Sequence, residues 1–204
     1  IGNILASNGL KQLRISESEK FPHVTYFFNG GTNVKYSGED RVLVQSPQVP
    51  TYDLQPEMSA VKMTDILVER IRSDIYDFIV VNFANPDMVA HSGNIEATIR
   101  AVKTVDTCVN RLVKEFNVKD GITVITSDHG NAEELINLDT NKMDTEHSYN
   151  PVPLVVAGNG LRNMKLQYGS LKDISPTILH IMGISIPNEM TGKSLLPSSS
   201  FNTV

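Results

Sequence analysis

The chain has 204 residues, of which 40% are hydrophobic and 20% are charged, and its formal net charge is -5. This composition is typical of a globular domain with a real hydrophobic core and excludes an intrinsically disordered chain. The mild acidity argues against non-specific nucleic-acid binding, which needs a basic face, and no apolar run reaches the ~18 residues of a membrane-spanning helix.

Predicted strands and helices alternate along the chain. Residues 23–29 form a short aromatic and β-branched run that Gly30 and Gly31 stop, which predicts a strand followed by a turn. Apolar residues at helical spacing predict helices over residues 59–73, 94–116 and 173–182. Nearly continuous apolar runs predict buried strands over residues 77–83, 121–127 and 152–157.

Both ends of the chain and its single cysteine give further expectations. The chain begins at Ile1 without a methionine, so we expect a trimmed, processed or partial protein. The serine-rich ending predicts a flexible tail over residues 198–204. Because Cys108 is the single cysteine, no intrachain disulfide can form, which favours a reducing, cytoplasmic location. Because no glycine-rich turn or histidine flanks it, Cys108 is expected to lie in a helix core.

The alternation of elements predicts an α/β fold, with a largely parallel sheet and helices on both faces. In such sheets, ligands bind beyond the carboxyl ends of the strands. Functional residues are therefore expected just after Phe83 and Thr126, where two predicted strands end.

Three polar loops carry the candidate ligands. Asp87 and His91 follow one predicted strand, Asp128 and His129 follow the next, and His147 precedes the third. Oxygen and nitrogen ligands without a thiolate suit Mn²⁺ or Zn²⁺ and exclude a cysteine-rich structural zinc site. Two such metals about 3.5–4 Å apart form the usual clamp for phosphoryl transfer.

Each candidate also has a simpler interpretation. Asp128 could be an ordinary helix cap and His147 a solvated loop residue, and only the joint pattern favours a metal site. Adjacent side chains diverge, so Asp128 and His129 need a tight loop to converge, which Gly130 permits. His180 is expected to be structural, and His23 a core or edge residue.

Lys20 stands at the mouth of the first predicted strand. A lysine there could hold a phosphate as a point charge. On the residues alone, a solvated charged loop is the better interpretation.

Five blocks of sequence occur in the order of one family's signature motifs, at residues 18–31, 85–93, 126–133, 147–153 and 190–195. On these blocks, the chain resembles the cofactor-independent (2,3-bisphosphoglycerate-independent) phosphoglycerate mutases, with Ala90 standing where the family usually has glycine. The resemblance implies an alkaline-phosphatase-like fold and a cytoplasmic enzyme of glycolysis and gluconeogenesis. That enzyme interconverts 3-phosphoglycerate and 2-phosphoglycerate through a phosphoserine at a two-metal site, usually holding Mn²⁺.

The resemblance also assigns roles residue by residue. Asp87, His91 and His147 match the ligands of one metal, and Asp128 and His129 match ligands of the other. Lys20 matches the catalytic lysine that contacts the phosphoryl group, which lifts it above the simpler interpretation.

Parts of the family pattern have no match in this chain. The nucleophilic serine, one further aspartate ligand and the arginines of the inserted substrate-binding domain are not matched, and Ser16, Ser18 and Ser127 lie in the wrong context. Residues 1–197 are therefore expected to be the C-terminal portion of a metal-binding phosphatase-like domain that is incomplete at its N-terminus. We expect this piece to be inactive alone, and either marginal in stability or self-associating, whereas the full enzyme is expected to be monomeric.

Two other functions stay open. One is a different phosphomutase or phosphatase of the same superfamily, and the other is a fragment that only binds metal. The block at residues 27–31 and the ending at residues 190–194 favour the mutase.

Overall fold

The computed structural model describes residues 1–137, 139–159, 161 and 164–197. The predicted tail, residues 198–204, lies outside this range. The α-helices within it are α1 (Gly2–Ser7), α2 (Ala60–Arg72), α3 (Asn85–Ala90), α4 (Ile95–Val118) and α5 (Ile174–Ile181). The strands are β1 (Gln12–Glu17), β2 (Glu39–Val44), β3 (Phe78–Asn82), β4 (Thr123–Thr126), β5 (Ile136–Asn137), β6 (Lys142–Met143) and β7 (Leu154–Ala157). No helix in the described part of the chain combines the length and apolarity needed to cross a membrane.

A parallel sheet in the order β2-β1-β3 forms the centre of the fold. Leu13 and Ile15 of β1 are fully buried in a core with Met63 and Leu67 of α2 and Leu112 of α4. Burying each of these side chains removes apolar surface from water and stabilises the fold by roughly 1.5–3 kcal/mol.

Alternate residues of β1 face the other side of the sheet. There the guanidinium carbon of Arg14 lies 4.2 Å from the ring centroid of Phe28, and Gln12 Nε2 donates to Gly2 O at 2.9 Å. Helical segments thus cover both faces of β1, and the expected α/β fold with a parallel sheet is confirmed.

The remaining strands pair in antiparallel fashion. β4 pairs with β7, with Ile125 opposite Val155, and β5 pairs with β6. The predicted strands at residues 77–83, 121–127 and 152–157 correspond in position to β3, β4 and β7. Their predicted burial is wrong, because every residue of these strands is half-buried or exposed, with Val155 48% exposed. The predicted helices at residues 59–73, 94–116 and 173–182 correspond to α2, α4 and α5.

The strand predicted over residues 23–29 is wrong, because His23–Phe27 forms a π-helical turn. Val24, Thr25 and Asn29 are buried while Tyr26 and Phe27 are exposed, which is helical rather than alternating spacing. Thr25 Oγ1 donates to Phe21 O at 2.7 Å, a bond typical of a helical turn. Here tertiary burial overrides the β propensity of the aromatic and β-branched residues.

The ending block packs against α5. Lys193 N donates to Asp173 Oδ1 at 2.8 Å, and Leu195 N donates to Thr177 Oγ1 at 3.0 Å. His180 Nδ1 lies 2.7 Å from Ser194 Oγ, which agrees with a structural role for this histidine. Cys108 is buried on α4, as expected for a helix-core residue.

Candidate metal centre

The site forms where the carboxyl ends of β3 and β4 approach each other. Two residues separate the end of β3 from the start of α3, and Pro86 in the first turn suits a helix start, where its nitrogen needs no hydrogen-bond partner. Buried Asn85 donates through Nδ2 to Pro56 O at 2.9 Å and anchors this turn. Asp87 and His91, the residue that caps the C-terminus of α3, are four residues apart and therefore lie on one side of this helix.

Three ligand atoms form a nearly equilateral triangle. Asp87 Oδ1 lies 3.2 Å from His91 Nε2 and 3.2 Å from His147 Nε2, and the two nitrogens lie 3.3 Å apart. Ligands of a tetrahedral metal with bonds of roughly 2.0–2.1 Å are separated by about 3.3 Å. The donor set and its spacing therefore suit a small divalent cation.

The tautomer of His91 also suits a metal. Its Nδ1 lies 2.8 Å from Thr145 O, a carbonyl that can only accept, so Nδ1 carries the proton. The Nε2 lone pair then faces Asp87 and His147. A backbone carbonyl that fixes the ring through Nδ1–H is a common support for a metal-bound histidine.

His129 extends this cluster on the side of β4. Its Nε2 lies 4.0 Å from Asp87 Oδ1 and 3.6 Å from Asp128 Oδ1, and its ring stacks on that of His147 with centroids 3.9 Å apart. Asp87, His129 and His147 also offer a looser group of ligand atoms, all within 4.8 Å of one another. The Asp128 side chain is 49% exposed, so it lies at the open rim.

Lys20 reaches the same carboxylate from the 3₁₀ turn Ser18–Lys20, which directly follows β1. Its Nζ lies 2.6 Å from Asp87 Oδ2, and both side chains are mostly buried. Burial alone would raise the pKa of Asp87, but hydrogen bonds from Lys20 and Asn131 and the lysine charge lower this pKa to about 2. The structure thus brings Lys20 together with four predicted ligands, with Asp128 beside His129.

Sequence reasoning missed two supporting residues, Asn131 and Glu133. Asn131 Nδ2 donates to Asp87 Oδ1 at 2.9 Å. Glu133 accepts hydrogen bonds from Ser148 Oγ and Asn150 Nδ2. Burial alone would raise the pKa of Glu133, but hydrogen bonds from Ser148 and the backbone lower this pKa to about 2. Both lie in the block at residues 126–133, but nothing in their spacing indicates which partners they find.

His23 lies close enough to the site to interact with its charges. Burial lowers the pKa of His23, the charge of Lys20 lowers it further, and Asp128 and Asp87 oppose this. Its Nδ1 is buried without a hydrogen-bond partner among the described residues. His23 is half-buried, at the start of a π-helical turn rather than of a strand.

Gly130 is needed for a different reason from the one expected. It does not adopt a left-handed backbone conformation, but a Cβ there would collide with Ser148 Oγ and Glu133 Oε1. The glycine thus makes room for the contact between these two side chains.

Comparison with known proteins places these observations in a family. The family model described as "Metalloenzyme superfamily" matches residues 1–186. The chain is 53% identical over 197 residues to a 2,3-bisphosphoglycerate-independent phosphoglycerate mutase from Vesicomyosocius okutanii, covering 96% of this chain and 38% of that protein. Over 198 residues it is 50% identical to the protein of the same name from Antithamnion sp., covering 96% and 39%.

A solved structure is also similar. The crystal structure of Leishmania mexicana phosphoglycerate mutase at low cobalt concentration matches with a TM-score of 0.87 and 29% identity, over 95% of this chain and 38% of that one. The chain thus spans well under half the length of the relatives it matches.

Proposed function

The chain belongs to the metalloenzyme superfamily, and from this premise we propose that it is part of a 2,3-bisphosphoglycerate-independent phosphoglycerate mutase. The observation that carries the proposal is the triangle of Asp87 Oδ1, His91 Nε2 and His147 Nε2, with edges of 3.2–3.3 Å. In this role, residues 1–197 form the C-terminal portion of the enzyme's phosphatase-like domain. The enzyme would act in glycolysis and gluconeogenesis in the cytoplasm, with phosphoglycerate as its substrate.

Two divalent metal ions, with Mn²⁺ as the preferred ion, are proposed for this site. Asp87, His91 and His147 would hold one ion, and Asp128 and His129 would contribute to the second. Bound there, the ions would supply positive charge and Lewis acidity toward phosphoryl oxygens. The second set has only two protein ligands in this chain, and Asp128 is half exposed, so we expect weaker binding there.

Lys20 has a separate role in this proposal. Its ammonium group is held at the site by the 2.6 Å contact with Asp87 Oδ2. A compact, positively charged donor in this position suits a phosphoryl oxygen, on which negative charge accumulates during transfer. We therefore propose that Lys20 binds and orients the transferring phosphoryl group, while Asp87 keeps the lysine in place.

We further propose that the serine nucleophile and the binding groups for glycerate come from outside these 204 residues. The relatives are more than twice as long, which leaves room for both. The chain alone would then bind metal without converting phosphoglycerate. The phosphoserine belongs to the complete enzyme.

The test uses the parent-length protein. Conversion of 3-phosphoglycerate to 2-phosphoglycerate should proceed with Mn²⁺ in the absence of 2,3-bisphosphoglycerate, stop on chelation, and be lost in His91→Ala. His180→Ala is the matched control, because this histidine contacts Ser194 and should leave the requirement for Mn²⁺ unchanged. Phosphate release without 2-phosphoglycerate would instead identify a hydrolase built on the same site, and no metal-dependent reaction would reject the enzyme altogether.

A further inference from the structure

The loop that carries His147 has little regular structure to hold it. The short strands β5 and β6, of two residues each, precede His147, and β7 follows it. The bond from Ser148 N to Gly130 O at 2.9 Å joins the His147 and His129 loops by backbone, and a second bond, from Asp144 N to Leu135 O at 3.0 Å, lies upstream of His147. With so few backbone bonds around it, the position of His147 also depends on side-chain contacts.

Glu133 supplies several of these contacts at once. One carboxylate oxygen accepts from Ser148 Oγ and, at 3.1 Å, from Asn150 Nδ2, both just after His147. The other oxygen accepts from Asn131 N at 2.8 Å in its own loop. Hydrogen bonds to an ionised carboxylate are about twice as strong as neutral ones.

The same residue also acts on Asp87. By holding the backbone of Asn131, Glu133 orients the side chain whose Nδ2 donates to Asp87 Oδ1 at 2.9 Å. Glu133 thus connects to two of the three proposed ligands: to Asp87 through Asn131, and to His147 through the adjacent Ser148.

We propose that Glu133 is a positioning residue that fastens the His147 loop to the His129 loop and thereby sets the affinity of the metal site. The inference rests on the proposed metal-binding function and goes beyond it, because Glu133 is not itself a ligand. The glycine at position 130 leaves room for this contact, since a Cβ there would collide with both Glu133 and Ser148.

The alternative is an exposed carboxylate of little consequence. Exposed ion pairs contribute little, and Glu133 is solvent-accessible. Its contacts differ from such a pair because they bridge two loops and reach backbone as well as side chains. The neighbouring Glu134 offers a direct contrast, since its Oε2 accepts from Asn150 Nδ2 at 2.7 Å without the contacts to Ser148 and Asn131 that Glu133 makes.

The experiment measures Co²⁺ binding by the 204-residue chain, by calorimetry and by visible absorption, which reports coordination geometry. Glu133→Gln should weaken binding at least tenfold and alter the absorption spectrum, because supporting groups of a metal site typically contribute 10–100-fold. Glu134→Gln, which removes the same charge from the same loop, should bind within about twofold of the unsubstituted chain. Ser148→Ala should weaken binding in the same direction as Glu133→Gln while keeping the backbone bridge.

The outcomes separate the two proposals. If the unsubstituted chain and His147→Ala bind Co²⁺ equally, or neither binds, the metal site itself is rejected. If the unsubstituted chain binds, His147→Ala does not, and Glu133→Gln matches Glu134→Gln in affinity and spectrum, the positioning role is rejected. Circular dichroism of each variant excludes unfolding as the cause of a weakened site. If Glu133→Gln does not fold, Ser148→Ala takes its place, and Co²⁺ affinity equal to that of the unsubstituted chain would reject the positioning role.

Discussion

Lys20 Nζ lies 2.6 Å from Asp87 Oδ2, while the other oxygen of the same carboxylate lies 3.2 Å from both His91 and His147. One carboxylate therefore joins the proposed phosphoryl-binding cation to the proposed metal ligands. Lys20 and a divalent cation would both interact with the negative charge of Asp87. Removing the charge of Lys20 should therefore change how the metal site interacts with Asp87.

The Lys20→Met substitution tests this coupling. Without the ammonium group, the pKa of Asp87 should rise from about 2 toward or beyond its ordinary value of 3.8, because burial would then be less opposed. NMR titration of the Asp87 carboxyl carbon in the metal-free chain measures this directly. An unchanged midpoint would contradict the pairing, and Lys62→Met, on the exposed side of α2, is the control.

The same pair makes stability depend on pH. A carboxyl whose pKa is lowered in the folded state stabilises the fold above its unfolded pKa, and this contribution is lost as pH falls toward 2. A shift of this size corresponds to about 2 kcal/mol. In acid denaturation, the free energy of unfolding of the unsubstituted chain should therefore fall between pH 4 and 2 because of Asp87. In Lys20→Met this contribution to the fall should be absent.

Glu17 shows the opposite dependence on pH. This residue is fully buried at the end of β1, where Oε1 accepts from Ser59 N at 3.0 Å, and burial raises its pKa to about 6. The folded state then holds its proton more tightly than the unfolded state, so stability falls as pH rises from 4.5 through 6. Ionised Glu17 should cost up to about 2 kcal/mol at neutral pH.

Glu17→Gln should remove this cost. The amide keeps an acceptor for Ser59 N but cannot ionise, so urea denaturation should give a more stable variant at pH 7.5 and nearly equal stabilities at pH 4.5. Glu69→Gln, exposed on α2, should show no such difference. Equal destabilisation at both pH values would mean that Glu17 acts through shape rather than charge.

The sequence predicts those elements whose apolar pattern matches their burial. α2 and α4 each bury one stripe of residues, so helical periodicity finds them. The apolar run of β3 finds the strand but overstates its burial, because all of its residues are half-buried. β1 escapes prediction although it is the centre of the parallel sheet. It buries Gln12, Arg14 and Glu17, and their contacts with Gly2, Phe28 and Ser59 outside the strand cannot be read from local sequence.

The candidate site divides in the same way. The placement of Asp87, His91, His129 and His147 follows from strand ends and ligand chemistry, and the structure brings these residues together. Asn131 and Glu133 owe their roles to contacts across 44 and 15 residues. No local pattern specifies such contacts, so the support of the site becomes visible only in the fold.

An apolar stripe on α4 leads us to expect self-association of this chain. Ile95, Ile99 and Val102 follow helical spacing and are 39%, 49% and 44% exposed. Sedimentation velocity should show a sedimentation coefficient that rises with protein concentration, and Ile99→Glu should reduce this rise. Val118→Glu, on another side of α4, is the control, and a monomer at every concentration would contradict the expectation.

Gly192 shows that one of the family-like blocks has a structural role. A Cβ at this position would collide with the backbone oxygen of Lys172 and approach Asp173 Oδ1 to 3.0 Å. Gly192→Ala should therefore push the ending block away from α5 and weaken the 2.8 Å bond from Lys193 N to Asp173, at a cost of roughly 1–3 kcal/mol in the free energy of unfolding.

Urea denaturation of Gly192→Ala, beside Lys193→Ala as the control, measures this cost. Lys193→Ala keeps the backbone donor and should be nearly neutral, since only an exposed side chain is shortened. Lys193 N and Leu195 N donate to α5 and its N-terminal turn, away from the metal ligands, so Co²⁺ affinity should not change in a folded Gly192→Ala protein. A loss of affinity with unchanged stability would instead mean that the block acts on the metal site.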